Sequence, residues 1–240
     1  MDRRRLLGPA NAITPAVGIS SNPKDNEPEK DVTMSDATTE DKFFVQAGNI
    51  DNANGSCYME VGDGSIILAC SVYGPRPINN SFISRGSFSV ETKFMPHVPQ
   101  GTDGAPNFSE LTGVEQRLSS FVETSLLPSV LLSKYPKSTI DVYVHVMACD
   151  DPSNLHRLAS WMVNCASVAL VDAEIEVRDV VTSGASGAGV ASFMALADDG
   201  IVGMWLDGDA SGVTTTLDAC ATKANAIRAN INSYLLNRTP

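Results

Sequence analysis

The sequence predicts an α+β fold, mixed sheets backed by helices, and three of its features predict it. Short apolar runs punctuated by turn residues fill Phe43 to Phe94. Two segments of helical periodicity, 110–132 and 155–172, flank a strictly alternating run at 140–147. Short strands then return before a last amphipathic segment at 215–236. That order is expected where helices back one sheet layer rather than alternate with every strand.

The first strands are read at 43–50, 56–61 and 65–73. Asn54-Gly55 and Gly62-Asp63-Gly64 accept positive φ, so tight hairpins and an antiparallel meander follow. Gly74-Pro75 is read as breaking the third strand, with a further run at 87–94 and a Pro/Gly loop at 95–107. In 110–132, Leu111, Val114, Leu118, Phe121, Val122 and Leu126 recur at helical spacing, with Ser109 as N-cap and Pro128 as an end or bend. From Ile140 to Met147, Val142, Val144 and Val146 share one face and Asp141, Tyr143 and His145 the other, the pattern of a half-buried strand. The next helix carries Leu155, Leu158, Trp161, Met162, Cys165, Val168 and Ala169 on one stripe. Strands at 177–182, 190–196 and 201–205 and the helix through Leu217, Ala221, Ala224, Ile227, Ile231 and Leu235 complete the layout.

Ahead of this domain, assigned to residues 43–240, residues 10–42 are rich in Pro, Asn, Ser, Asp, Glu and Lys and too poor in large apolar groups to offset ordering entropy; they read as a disordered linker. Residues 1–9 differ. Arg3, Arg4 and Arg5 precede Leu6 and Leu7 and a Gly8-Pro9 stop, which reads either as a solvated terminus or as a short docking arm that orders on a partner. No apolar h-region follows these arginines, and no stretch reaches the roughly 20 apolar residues of a spanning helix, so neither secretion nor membrane insertion is expected.

The net charge of −11 argues against a chain that wraps nucleic acid by itself, because phosphate affinity comes mainly from lysine and arginine. The five cysteines, Cys57, Cys70, Cys149, Cys165 and Cys220, are scattered without a CxxC pair or a histidine at metal-ligand spacing, which predicts reduced, buried thiols. Asp207, Asp209, Ser211 and Asp218 match the spacing of a calcium loop, but a strand stands where the incoming helix belongs, so a turn into the last helix, capped by Ser211 or Thr214, is the better reading. Gly184-Ala-Ser-Gly-Ala-Gly189 lacks the following helix of a phosphate cradle and reads as a hairpin turn. His97, His145 and His156 have no nucleophile in a recognised setting, and Asp150-Asp151 and Asp198-Asp199 fall at turn positions. Arg76 and Arg85 stand out in a loop without acids, which reads either as a solvated hairpin end or as a pair of bidentate donors for phosphates.

Asn-Gly-Ser-Cys-Tyr-Met-Glu at 54–60, followed by Ile66 to Arg76 with its Tyr-Gly-Pro-Arg ending, resembles the signature of the RNase PH family. Tyr-Pro-Lys-Ser-Thr-Ile-Asp at 135–141, the helix segment Ala166 to Ile175, and Val177 to Val181 are similar to further family segments in the same order. The resemblance spans Phe43 to the C-terminus and implies the RNase PH fold, which is ribosomal protein S5 domain 2-like. The opening Asp2 to Pro9 resembles that of a fungal-type ring subunit of the RNA exosome.

For this chain the resemblance implies pairing with other RNase PH-like chains as heterodimers in a hexameric ring, S1/KH cap subunits above it, RNA in the shared channel and an associated hydrolytic ribonuclease. It implies residence in nucleus, nucleolus and cytoplasm. Active members carry a Gly-Thr-Arg phosphate-binding turn before the second helix; here the residues are Asp151-Pro-Ser-Asn-Leu-His-Arg157, with Ala159 near the family arginine and Arg157 displaced by about two residues. The segment that bears metal-binding aspartates in active members is shortened to Ala197-Asp198-Asp199-Gly200. A non-catalytic scaffold with no cofactor and no metal is therefore expected, with Arg76 and Arg85 contacting RNA and Arg3, Arg4, Arg5, Leu6 and Leu7 docking a partner. The alternative is an active phosphate-dependent 3′-to-5′ exoribonuclease.

Overall fold

A computed structural model describes residues 42–78, 83–96, 98, 108–150, 154–187, 189–197, 200–207 and 212–238. The docking arm, almost the whole linker, His97, Asp151, Asp198, Asp199 and, in the calcium-like loop, Asp209 and Ser211 lie outside the described residues.

β1 (Phe43–Ala47), β2 (Gly55–Val61) and β3 (Ile66–Pro77) form the expected antiparallel meander. β5 (Ser138–Cys149) pairs antiparallel with β3, and β4 (Ser87–Phe94) pairs parallel with β5, giving the order β1-β2-β3-β5-β4. The parallel pair requires a crossover, which α1 (Phe108–Leu126) supplies. A second, antiparallel sheet holds β6 (Thr182–Ser186), β7 (Gly189–Met194) and β8 (Gly200–Leu206) in that order. Between the sheets runs α2 (Leu155–Asp172), which packs against β2 and β3 as well as β6 and β7. From His156 to Leu170 every residue but Arg157 is buried, the signature of a helix covered all round rather than along one stripe. α3 (Val213–Arg238) lies on β6 and β7 through Cys220, Ala224, Ile227 and Ile231.

Several boundaries differ from the sequence reading, each for a local reason. β3 continues through the cis Gly74-Pro75 bond to Pro77, because a register shift between Tyr73 and Arg76 takes the proline out of the ladder. At Gly74 φ is +139°, and a Cβ there would stand 2.6 Å from the Thr139 carbonyl oxygen, so the bend requires glycine. α1 contains Ser109 rather than being capped by it, and stops at Leu126 because Pro128 cannot continue the ladder; the Ser129 hydroxyl donates to the Leu126 carbonyl at 2.7 Å. Residues 178–181 form no strand, and Val177 makes only an isolated bridge to Val130. The Asp179 carboxylate, which accepts from Val180 N (2.7 Å) and Leu196 N (3.0 Å), takes the place of the ladder there. Thr214 lies inside α3 rather than capping it, and the Thr215 and Thr216 hydroxyls donate back to the Gly212 carbonyl.

All five thiols are free and buried. Cys57 and Cys70 face each other across β2 and β3, and the Cys165 thiol reaches the Cys57 carbonyl at 3.5 Å. The hydrogen bond with Cys165, reinforced by burial, pushes the Cys57 thiol well above its ordinary value. The sign of the consequence is fixed: the unfolded thiol releases its proton near pH 8.5 while the folded one retains it, so above that pH the unfolded state binds fewer protons. Unfolding free energy from urea titrations is expected to be level to about pH 8 and to fall steadily above it. Cys57→Ala is expected to flatten part of that fall.

Candidate functional site

Two clusters of cations and polar groups have the chemistry to meet an anion, and they lie apart. The first is a cleft of about 350 Å³ at the N-terminus of α2. Asn154 accepts from the Arg157 backbone N–H at 3.1 Å and so caps the helix, orienting its first turn toward the cleft. Arg157, Ser160 and Trp161 form one wall, Ala185, Ser186 and Gly187 the second, and Lys223 and Ile227 of α3 the third. Asn164 holds the walls together: its side-chain amide donates to the Ser183 carbonyl (3.0 Å) and its carbonyl accepts from Ser183 N–H (2.8 Å). Two cations, hydroxyls and a helix N-terminus suit an anion, and no carboxylate is among the described residues that line the cleft.

The glycine-rich segment is thus a hairpin, as its sequence suggested, with the turn at Gly187 (φ +56°), but β6 runs through Gly184. Its far end faces a helix N-terminus all the same, that of α2, which precedes it in the chain. Sequence reasoning missed Asn154, Ser186 and Lys223 as a group, because nothing local marks residues brought together from three elements.

The second cluster stands at the end of β3. Arg76 is exposed, with its guanidinium carbon 4.7 Å from the centroid of Tyr73, which in turn meets Tyr143 edge-on at 5.7 Å. Thr139 of β5 is the register partner of Arg76 on one side and of Ser87 on the other, so Arg76 and Arg85 flank the same end of β5. Two strand spacings put the backbones of Arg76 and Ser87 roughly 10 Å apart. An acid stands there too: Asp141 accepts from the Ser89 hydroxyl (2.8 Å) and the Thr139 hydroxyl (3.1 Å). Asp141 thus stands two residues along β5 from Thr139, the register partner of Arg76.

These clusters cannot form one site. The Arg157 guanidinium approaches the Gly62 turn, 3.4 Å from where a Cβ of Gly62 would lie, at the start of β3. Arg76 sits near its other end, roughly 30 Å away along an extended strand. His145 lies on the outer face of the first sheet, and His156 is buried against Trp205, its Nε2 3.2 Å from Asp207 Oδ2 but too oblique for a directed hydrogen bond. Neither has a nucleophile beside it among the contacts described. β8 ends at Leu206, directly before Asp207, so a strand enters the calcium-like loop, and Asp207 accepts instead from the Trp205 indole at 3.1 Å.

Residues 42–176, which run from β1 through α2, match the model of the 3′ exoribonuclease family, domain 1. The chain belongs to that family. Among its relatives are the exosome complex component mtr3 of Schizosaccharomyces pombe, 34% identical over 184 residues that are 75% of this chain and 65% of the relative. The exosome complex component Rrp41 of Nitrosopumilus maritimus is 32% identical over 150 residues, 61% of this chain and 57% of the relative. The chain therefore spans less than two thirds of the length of these family members. Solved structures share the fold at low identity. The Archaeoglobus fulgidus exosome with RNA bound to the active site aligns at a TM-score of 0.62 and 19% identity, over 79% of this chain and 88% of that one. Rice Rrp46 aligns at 0.59 and 18%, over 81% and 95%. The RNase PH fold expected from the motifs is the fold of this chain.

Proposed function

We propose that this chain is a non-catalytic ring subunit of an RNA exosome, scaffolding cap proteins and lining part of the RNA path for a separate nuclease. The observation that supports it most is the cleft at α2: Arg157 and Lys223 can hold an anion there, while among the described residues the lining offers no carboxylate to bind a metal or move a proton. Phosphorolysis needs both an anion site and charge on the departing oxygen. The likeness to mtr3 supports the ring position, and with it neighbouring RNase PH-like subunits paired as heterodimers in a hexamer, S1/KH caps, an associated hydrolytic ribonuclease, and residence in nucleus, nucleolus and cytoplasm. In this reading residues 1–9 dock a partner, through Arg3, Arg4, Arg5, Leu6 and Leu7, and residues 10–42 tether them.

The deciding experiment incubates the purified chain, alone and in its reconstituted complex, with labelled RNA and phosphate. No nucleoside diphosphate that depends on Arg157 or Lys223 is expected; its release would establish the active exoribonuclease instead. Inorganic phosphate at about ten times its Kd is expected to stabilise the chain by about 1.4 kcal/mol in thermal melts, and the Arg157→Ala/Lys223→Ala variant should show no such shift.

The second cluster supports an RNA contact in the ring, with Arg76 and Arg85 on phosphates beside the Tyr73 and Tyr143 rings. Replacing both arginines with alanine in the reconstituted ring is expected to weaken RNA binding and to make the log affinity against log salt slope shallower by about 1.4, roughly 0.7 for each lost contact on a single strand. An unchanged slope would remove these arginines from the RNA path.

A further inference from the structure

A groove that the ring reading does not use opens between α1 and β8, with a volume of about 490 Å³. Its α1 wall is a stripe at three- and four-residue spacing from Gly113 to Thr124, and its floor is Gly203, Met204 and Trp205 of β8. The two elements meet closely, since a Cβ at Gly203 would stand 2.2 Å from the Ser125 hydroxyl oxygen. Trp205 organises the site: Phe121 packs on it at 6.0 Å between centroids, and Arg117, exposed, sets its guanidinium 4.8 Å above the indole.

Three properties say what fits. β8 is the last strand of its sheet, and among the described residues its backbone pairs only with β7, which leaves a row of N–H and C=O groups along the other edge. Apolar side chains crowd that edge in the open: Met204 is 51% exposed, Ile201 50% and Leu196, at the preceding turn, 80%. Among the described residues Arg117 is the one ionisable side chain lining the groove, a local cation on a chain of net charge −11.

We propose that this groove docks an extended, carboxylate-bearing segment of a partner protein, which adds as a strand to the free edge of β8 while a carboxylate meets Arg117. Strand addition supplies affinity through main-chain hydrogen bonds, and alternate side chains supply specificity: apolar ones on Ile201 and Met204, an acidic one at the guanidinium. RNA suits the groove less well. A single cation neutralises one phosphate, and a nucleic acid has no main chain with which to continue the β ladder.

The test uses the full chain and four labelled probes read by fluorescence anisotropy. These are a short peptide alternating valine with glutamate, the same peptide N-methylated at alternate amides, its valine–lysine counterpart and an oligouridylate. The glutamate peptide is expected to bind, with Kd about tenfold weaker on Arg117→Ala, the loss of one charge-assisted hydrogen bond. N-methylation, which leaves the protein untouched, is expected to abolish binding because it removes the strand donors. The proposal is overturned if the glutamate peptide fails to bind, if N-methylation changes nothing, or if the lysine peptide or the oligouridylate competes as well. A concentration-dependent dimer that Arg117→Glu dissolves in sedimentation would make a second copy of this chain the occupant and would also overturn it.

Discussion

Asp179→Ala is expected to cost the fold about 3–5 kcal/mol, the usual penalty for stripping the partner from a buried ion. The Asp179 side chain is 4% exposed and that of its partner, Arg228 of α3, 13%. Arg228 donates through Nη2 to Asp179 Oδ1, and its Nη1 is already buried without a hydrogen-bond partner among the described residues. Removing the carboxylate leaves that cation uncompensated and also orphans the Val180 and Leu196 N–H groups. Against a total of about 5–15 kcal/mol for a domain, a loss of this size is close to unfolding. Urea unfolding checks it. Because the cost comes from the stranded charge, Asp179→Ala/Arg228→Leu should recover part of the loss. A single-variant cost under about 1 kcal/mol would mean that the pair does not anchor α3.

Gly184→Val is expected to be of similar size, about 3 kcal/mol or more, by a different route. A Cβ on Gly184 would stand 2.2 Å from the Cys220 carbonyl oxygen and 3.0 Å from Ala224 N, both backbone atoms of α3. Backbone cannot swing aside as a side chain does, so α3 must lift from β6. The measurement is equilibrium unfolding, with thiol labelling of Cys220, now fully buried, as the local reporter. Gly187→Ala separates packing from conformation. Among the described residues nothing lies within 4 Å of its Cβ position, but its φ is +56°, so only the left-handed penalty of about 1 kcal/mol applies. Equal effects at the two glycines would remove the close-packing account.

Much of the layout was legible along the chain. The alternation of Ile140 to Met147, the turn residues at 54–55 and 62–64, and the helix at 155–172 all read correctly because periodicity and turn chemistry are local properties. The candidate sites were legible only in part. Arg76 and Arg85 drew notice because they stand close in sequence, while the acid nearest the Arg76 end of β5, Asp141, comes from another strand and is held by Ser89 and Thr139. The α2 cleft was seen only as a departure from a motif around Arg157; Lys223 enters it from a helix some sixty residues further on, and nothing near Lys223 in sequence announces that.

By itself, the sequence determined most of the segments that become strands and helices and the family they compose, and it predicted free, buried thiols, since each depends on neighbours in the chain or on composition. The tertiary structure decided what those segments face. α2 reads as a one-sided helix and is buried all round because a second sheet closes over it. Residues 178–181 read as a strand, but the Asp179 carboxylate satisfies the Val180 and Leu196 N–H groups and draws in Arg228. Gly184 reads as a turn residue and serves as the contact point for α3. In each case burial and hydrogen-bond partners come from residues distant in the chain, and only the assembled packing specifies them.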